Sequence, residues 1–248
     1  MEEIEVTSLT VSGLSVRYGA GAQAVIDADL SVSSGECAVV HGPNGAGKTS
    51  LVRAIAGYLP HERVMVTGSI MLGERAIDSV GVERRARLGV ACIPERDKIF
   101  REMSVRENLD IFALRRASKR GLTADLDLAF DVFPALERLP RGRAAGLLSG
   151  GEQQMLAIAG ALVGGPQVLL VDEPSLGLAP IVVTDVMTAL GRILAERGLA
   201  VVLVDQNVRS ARRIATKVYT MSGGRLRHET GEDVYGRLVR EGYAKVIA

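Results

Sequence analysis

The chain has 248 residues, 47% of them hydrophobic and 24% charged, which supplies a large core and is far from the composition of a disordered chain. Thirty basic and 29 acidic side chains nearly cancel, so no global field draws it to nucleic acid or to an acidic membrane surface. No apolar run approaches the roughly 18 residues of a membrane span. The start MEEIEVTS is acidic where a secretory signal would be basic, so the expectation is a soluble chain in the cytoplasm that binds no nucleic acid.

In chain order, the first 35 residues alternate apolar and polar positions, as in LTVSGLSVRY and VIDADLSVS, which predicts half-exposed antiparallel strands. Four short, continuous apolar runs then recur: CAVVH (37–41), GVACI (89–93), VLLVD (168–172) and AVVLVD (200–205). Each is followed by helical periodicity, the pattern of parallel strands buried on both faces. Cys37 and Cys92 lie in two of these runs with no CxxC or Cys/His spacing nearby, and they read as small buried hydrophobes. Between Pro94 and Gly165 the pattern is helical only. Ser104 to Glu107 has capping-box spacing ahead of Val105, Leu109 and Phe112 on one face, and TADLDLAFDVF is a second amphipathic stretch. The expected organisation is a single domain over 1–248, with a helical lobe at 94–165 inserted into an α/β core and antiparallel β lobe formed by 1–93 and 166–248. The basic pairs Arg115-Arg116 and Lys119-Arg120 read as solvated helix faces.

HGPNGAGKTS (41–50) matches G-x-x-x-x-G-K-[ST] from Gly42 to Thr49. It follows the strand CAVVH and opens a helix with Leu51, Val52 and Ile55 on one face, which Gly57 and Pro60 stop. Gly42, Gly45 and Gly47 let backbone N–H groups turn inward around phosphates, Lys48 reaches the β and γ oxygens, and the Thr49 hydroxyl can ligate Mg2+ at a helix N-terminus. A plain glycine-rich turn would not require Lys-Thr after the third glycine. The whole loop, Gly42, Pro43, Asn44, Gly45, Ala46, Gly47, Lys48, Thr49 and Ser50, is therefore a candidate nucleotide-phosphate-binding segment.

VLLVDEP (168–174) delivers two adjacent carboxylates at the C-terminal end of a buried strand, the edge where open α/β sheets place ligands. Asp172 would hold Mg2+ through water, and Glu173 could orient and deprotonate a water attacking a γ-phosphate. Asp-Glu-Pro is also an ordinary strand exit, and it is the pairing with the phosphate loop that favours the chemical reading. The third element is LLSGGEQQM (147–155). Ser149, Gly150, Gly151 and Glu152 have capping-box spacing, and a helix cap is the simplest account. Two glycines in a first helical turn nevertheless cost about 1 kcal/mol each against alanine, a poor choice unless something approaches the backbone closely. Exposed N–H groups and a serine hydroxyl at a positive helix end make a second phosphate-binding surface, one without a lysine.

GPNGAGKT, LSGGEQ and VLLVDEP in this order, with Tyr18 in VRYG upstream, resemble the ATP-binding subunit of an ABC transporter over nearly the whole chain. The resemblance implies a P-loop NTPase (RecA-like) α/β core with an antiparallel β lobe and an inserted helical lobe. It implies ATP and Mg2+ as ligands, with Thr49, Asp172 and Glu95 at the metal and Lys48, Glu173 and Gln206 at the reacting phosphate. Tyr18 would stack on adenine. Ser149 to Glu152 would bind the γ-phosphate of ATP held by a second cassette, identical or paralogous, so that two cassettes close head to tail over two nucleotides. Transmembrane permease subunits would dock a short cytoplasmic helix near Glu95 to Phe100, placing the protein peripherally on the cytoplasmic face of the membrane, with a solute-binding protein as an indirect partner.

Several positions depart from the common pattern. Glu95 stands where many cassettes have glutamine, Gln206 where many have a switch histidine, and Ala179 where aspartate is usual. With LSGGEQQMLAIA and DEPSLGLAP, these resemble one ATPase subunit of branched-chain amino-acid importers; Gly160, where arginine is expected, fits less well. Relatives in that branch also serve urea and short-chain amides. Gln206 can hydrogen-bond a phosphate but carries no charge, leaving Glu173 as the general base. The expectation is an ATPase powering import of small amino acids. A soluble cassette ATPase acting on another macromolecule is the alternative, although such proteins usually carry tandem cassettes or coiled-coil insertions; a metabolic P-loop kinase would not need LSGGEQ.

Overall fold

The computed structural model describes residues 8–239 except 20, 22, 60–62, 115–120, 141, 208 and 231–232. Residues 1–7 of the acidic start, Pro60, and the pairs Arg115-Arg116 and Lys119-Arg120 lie outside the described residues. In chain order the elements are β1 (Ser8–Tyr18), β2 (Gln23–Ser33), β3 (Cys37–His41), α1 (Lys48–Ala56), β4 (Val64–Leu72), β5 (Arg75–Ala76), α2 (Val82–Arg87) and β6 (Val90–Ile93). There follow α3 (Val105–Ala113), α4 (Leu122–Val132), α5 (Pro134–Glu137), α6 (Gly150–Val163), β7 (Val168–Asp172), α7 (Pro180–Arg197), β8 (Ala200–Asp205), β9 (Lys217–Ser222) and β10 (Arg225–Glu229).

The strands form one mixed sheet in the order β5-β4-β1-β2-β10-β9-β3-β8-β7-β6. β3, β8, β7 and β6 are parallel neighbours, as the four apolar runs predict. β1 pairs antiparallel with β2 and with β4, and these strands make the β lobe. Neither β4 nor the β9–β10 hairpin is marked by the apolar pattern of the sequence. β4 hides its periodicity because four consecutive residues in its middle are exposed. Gly68 there, at φ +102°, lies so close to β1 that a Cβ would meet Gly13 O at 2.5 Å, where the β1–β4 register shifts.

Alternate residues of the parallel strands feed two cores. Leu169, Val171, Val201 and Leu203 pack with the apolar faces of α3, α4, α6 and α7, whereas Val168, Leu170, Val202 and Val204 pack with α1 and the β lobe. Both faces are covered, which is why these runs are apolar throughout. Cys37 follows that rule; Cys92 does not, being only half-buried.

Between β6 and β7 the regular structure is helical. α3 starts on the expected capping box, with Ser104 and Glu107 bonded reciprocally. Asn108 is fully buried and works as a local template: its Nδ2 donates to the carbonyls of Phe100, Met103 and Ser104, and its Oδ1 accepts from the Phe100 N–H. Gly160 has a packing cause, since a Cβ there would lie 2.2 Å from the Phe112 ring. The ring fills the space in which the family resemblance expects a long basic side chain. At the other departure, Ala179 is the N-cap of α7 and offers no side-chain bond, while Pro180 supplies the fixed φ of the first turn.

Candidate nucleotide-binding site

β3, β8 and β7 end side by side, and the loops that leave them meet at one edge of the sheet. The loop after β3 turns on Gly45 and Gly47 at φ +78° and +109° and enters α1 at Lys48. Gly47 is required twice, by its φ and because a Cβ would lie 2.1 Å from Ala24 O; at Gly42 a Cβ would meet Met221 O at 2.3 Å. The loop is therefore wedged against β2 and β9, with its backbone as the exposed lining. Asn44 and Gly45 are exposed, Pro43 is half-buried, and Ala46 is buried as the hydrophobic foot of the loop.

Lys48 is 4% exposed and has three partners. Its Nζ donates to Gly42 O at 2.8 Å and Pro43 O at 3.1 Å, and it pairs with Glu173 Oε1 at 2.9 Å. Glu173, 8% exposed, follows β7 in the left-handed region at φ 50°, a conformation that costs a non-glycine residue of order 1 kcal/mol or more. Its second oxygen accepts from the Gln206 N–H at 3.1 Å. One carboxylate thus bridges the lysine of the phosphate loop and the segment leaving β8.

Beside this bridge, Thr49 Oγ1 donates to Asp172 Oδ1 at 3.2 Å, and Tyr18 at the end of β1 is 3.2 Å from the Ser50 hydroxyl through its own. Burial raises the Asp172 carboxyl to about 6; the Thr49 bond opposes that rise, and the nearby Glu173 and Glu95 add to it. Such a group gains from an incoming cation. Among the described residues no group of three or more His, Cys, Asp or Glu is placed to hold a metal by itself. Mg2+ in phosphate sites takes one or two protein ligands and fills its octahedron with waters and phosphate oxygens, so a Thr49 and Asp172 pair suits it. Glu95 lies across a groove of ≈ 670 Å3 from Asp172, with Val52, Tyr58, Val82 and Cys92 among its other walls.

Ser149 to Glu152 stand apart from this cluster. Their hydrogen bonds close on themselves: the Ser149 N–H donates to Glu152 Oε2 at 2.8 Å and the Glu152 N–H to Ser149 Oγ at 3.3 Å. No hydrogen bond joins them to the phosphate loop among the described residues. The two glycines differ. A Cβ on Gly151 would lie 2.6 Å from Val182 of α7, whereas one on Gly150 would make only ordinary contact with Leu178 at 3.6 Å. Packing explains Gly151 and leaves Gly150, which is exposed, without a cause inside this chain.

Two polar anchors escape the sequence reading. Asp205 ends β8, fully buried, and its carboxylate accepts from Ser175 Oγ, Ser210 Oγ and the Asn207 N–H, fixing the segment around Gln206. Burial raises its carboxyl, and these bonds pull the other way. A charge closing an otherwise apolar run is the signal that could have found it. Lys98 donates to Gln154 Oε1 on α6, tying the Glu95 loop to the helix that Ser149 caps. Its ammonium is thereby engaged, whereas the neighbouring Arg96 has a side chain 85% exposed.

A glycine-wedged loop with a buried lysine at the foot of a parallel sheet, facing a Thr–Asp pair and a glutamate, defines a P-loop nucleoside triphosphatase. The family model described as ABC transporter matches residues 25–176, and the chain belongs to that family. It is an ABC-transporter ATPase subunit. It is 35% identical over 224 residues to the high-affinity branched-chain amino acid transport ATP-binding protein BraG of Pseudomonas aeruginosa, covering 90% of this chain and 93% of that protein. The lipopolysaccharide export system ATP-binding protein LptB of Escherichia coli is 33% identical over 227 residues, covering 88% of each. A solved nucleotide-free ATP-binding cassette from an ABC transporter shares the fold at TM-score 0.79 and 21% identity, over 97% of this chain and 98% of that one. No helix among the described residues is long and apolar enough to cross a membrane.

Proposed function

We propose that this ATPase drives import of branched-chain or other small amino acids through permease subunits, at the cytoplasmic face of the membrane, by ATP-dependent head-to-tail closure of two cassettes. The observation that carries the substrate class is the 35% identity to BraG along nine-tenths of the chain. The 33% identity to LptB supports export as a second reading, in which the same ATPase serves an amphiphile-exporting permease.

In this reading Gly42 to Ser50 wrap the phosphates of ATP, Tyr18 lies under the adenine, and Lys48 leaves Glu173 to meet the β and γ oxygens. Thr49 and Asp172 would hold Mg2+, with Glu95 across the groove, and the bound ion would supply charge neutralisation at the phosphates. Glu173, released from Lys48, accepts a proton from the water whose oxygen attacks the γ-phosphorus as the bond to the β–γ bridging oxygen breaks. Gln206 orients that water. Ser149 to Glu152 serve the γ-phosphate of the partner cassette. Residues 94–165 act as the lobe that carries this cap, and the groove beside Glu95 receives a short permease helix, with the exposed Arg96 in its lining and the exposed Phe100 further along the same loop.

Purification from membranes with the native permeases, reconstitution in liposomes and uptake of radiolabelled leucine test this. ATP-dependent leucine accumulation is expected. Outward movement of an amphiphile without leucine uptake would assign the chain to the export reading, and recovery without any membrane subunit would overturn both.

A further inference from the structure

His41 occupies the last position of β3, paired in register with Asp205 at the end of β8. The loop carrying Lys48 leaves from one of these residues and the segment carrying Gln206 from the other. The imidazole is fully buried, and its Nδ1 lies 3.2 Å from Asp205 O. A carbonyl only accepts, so Nδ1 carries the hydrogen, and in the neutral ring Nε2 is a bare lone pair. Burial keeps the ring neutral, pushing its pKa down to about 4 although the Asp205 carbonyl favours the charged form; Lys48 pushes it further down and Glu173 back up.

That lone pair has no hydrogen-bond partner among the described residues. The same holds for one other atom at this spot, the buried hydroxyl of Tyr235, in the helical residues 234–239. The rings meet edge to face, with centroids 5.8 Å apart at 81°. The Tyr235 ring also carries Arg212, whose guanidinium carbon is 6.0 Å from the ring centroid, in the segment that follows Gln206. A buried polar atom left unpaired costs free energy comparable to a hydrogen bond, so two of them on rings in contact, one able only to accept and one able to donate, have a common solution.

We propose that Tyr235 is a positioning residue for ATP hydrolysis: its hydroxyl donates to His41 Nε2, directly or across one water, and so fastens residues 234–239 to the paired strand ends behind the phosphate loop and the Gln206 segment. The chain runs from the Tyr235 hydroxyl through the imidazole to the Asp205 carbonyl. It holds the height of β3 against β8, and with it the separation of Lys48 from Gln206. In this role Tyr235 acts through His41 and does not itself contact the nucleotide or the attacking water. Its effect on turnover rests on the assignment of Lys48, Glu173 and Gln206 to the reacting phosphate; the hydrogen bond itself does not.

The test uses the full chain, wild type and Tyr235→Phe, with 15N-labelled histidine. In the wild type the His41 Nε2 resonance should be displaced from the position of a free imidazole lone pair, and Tyr235→Phe should return it there. Mg-ATPase turnover of Tyr235→Phe should fall roughly fivefold in kcat with KM nearly unchanged, the effect of losing one hydrogen bond that aligns groups. In a His41→Leu background the same change should have no further effect on kcat, because the acceptor is already gone. An Nε2 resonance that ignores Tyr235→Phe overturns the bond. A resonance that moves with no loss of kcat, or losses that multiply independently in the double variant, overturns the positioning role. If wild-type turnover does not depend on Lys48 or Glu173, the reading of the reacting site fails while the resonance still decides the bond.

Discussion

The chain starts two helices on glycine-rich segments, and their surroundings are opposite. At α1 every special feature is answered inside the chain: Gly42 and Gly47 are wedged against backbone, and the lysine is neutralised by Glu173 and two carbonyls. At α6 the cap is satisfied reciprocally and Gly151 is packed on Val182, yet Gly150 stays exposed with room for a side chain. The first start has its lysine already paired with a carboxylate, which a phosphate on the proposed reading has to displace. The second is finished structurally and still presents open backbone outward, as a surface for something outside the chain does.

The largest way to break this contrast is Lys48→Ala. ATP binding measured by calorimetry should weaken by at least ~100-fold, since charge-assisted contacts to phosphate are among the strongest single terms. The nucleotide-free protein should also lose roughly 3 kcal/mol in chemical denaturation, because Glu173 is left buried without its counter-ion. Unchanged affinity would remove the phosphate loop from the account.

Glu173→Gln comes next. It keeps shape and hydrogen-bonding reach but cannot take the water's proton, so hydrolysis should fall by roughly 100-fold or more. Because Lys48 no longer has a competing anion, ATP should bind more tightly than to the wild type. A variant that hydrolyses normally would remove Glu173 as the base, and one that binds ATP more weakly would contradict its role as the anion competing for Lys48 across the 2.9 Å bridge.

The smallest expected effect divides the two glycines of α6. Gly150→Ala should stabilise the isolated chain by roughly 0.5–1 kcal/mol, as an alanine in an open helical position does, and should nevertheless lower ATPase turnover. Gly151→Ala should destabilise it, since its Cβ has no room beside Val182. Thermal denaturation together with turnover separates the cases; a Gly150→Ala protein that is both more stable and fully active would reduce the segment to a cap.

Much of this was legible in the residues. The parallel strands announce themselves because both faces are buried, and the capping boxes at Ser104 and Ser149 because serine and glutamate three apart have one efficient use at a helix start. β4 was not legible, since its exposed middle follows neither period, nor was the Lys98 anchor, because a lysine in a loop gives no sign that a glutamine 56 residues away will accept its hydrogen bond. The Lys48–Glu173 bridge was likewise invisible: the residues name the two groups, and only the left-handed turn at Glu173 brings one to the other. His41 read as the end of an apolar run, and its link to Asp205 depends on strand register.

The most direct test of the central claim is the oligomeric state of Glu173→Gln measured by size-exclusion chromatography with light scattering, with and without Mg-ATP. With ATP preserved, each γ-phosphate should bridge Lys48 of one chain and the Ser149 helix start of the other, converting monomer to dimer by mass action. Adding Ser149→Phe should leave ATP binding by the chain's own loop intact and yield ATP-loaded monomers. A double variant that dimerises as fully as Glu173→Gln would contradict the account and leave residues 149–152 with no role beyond starting α6.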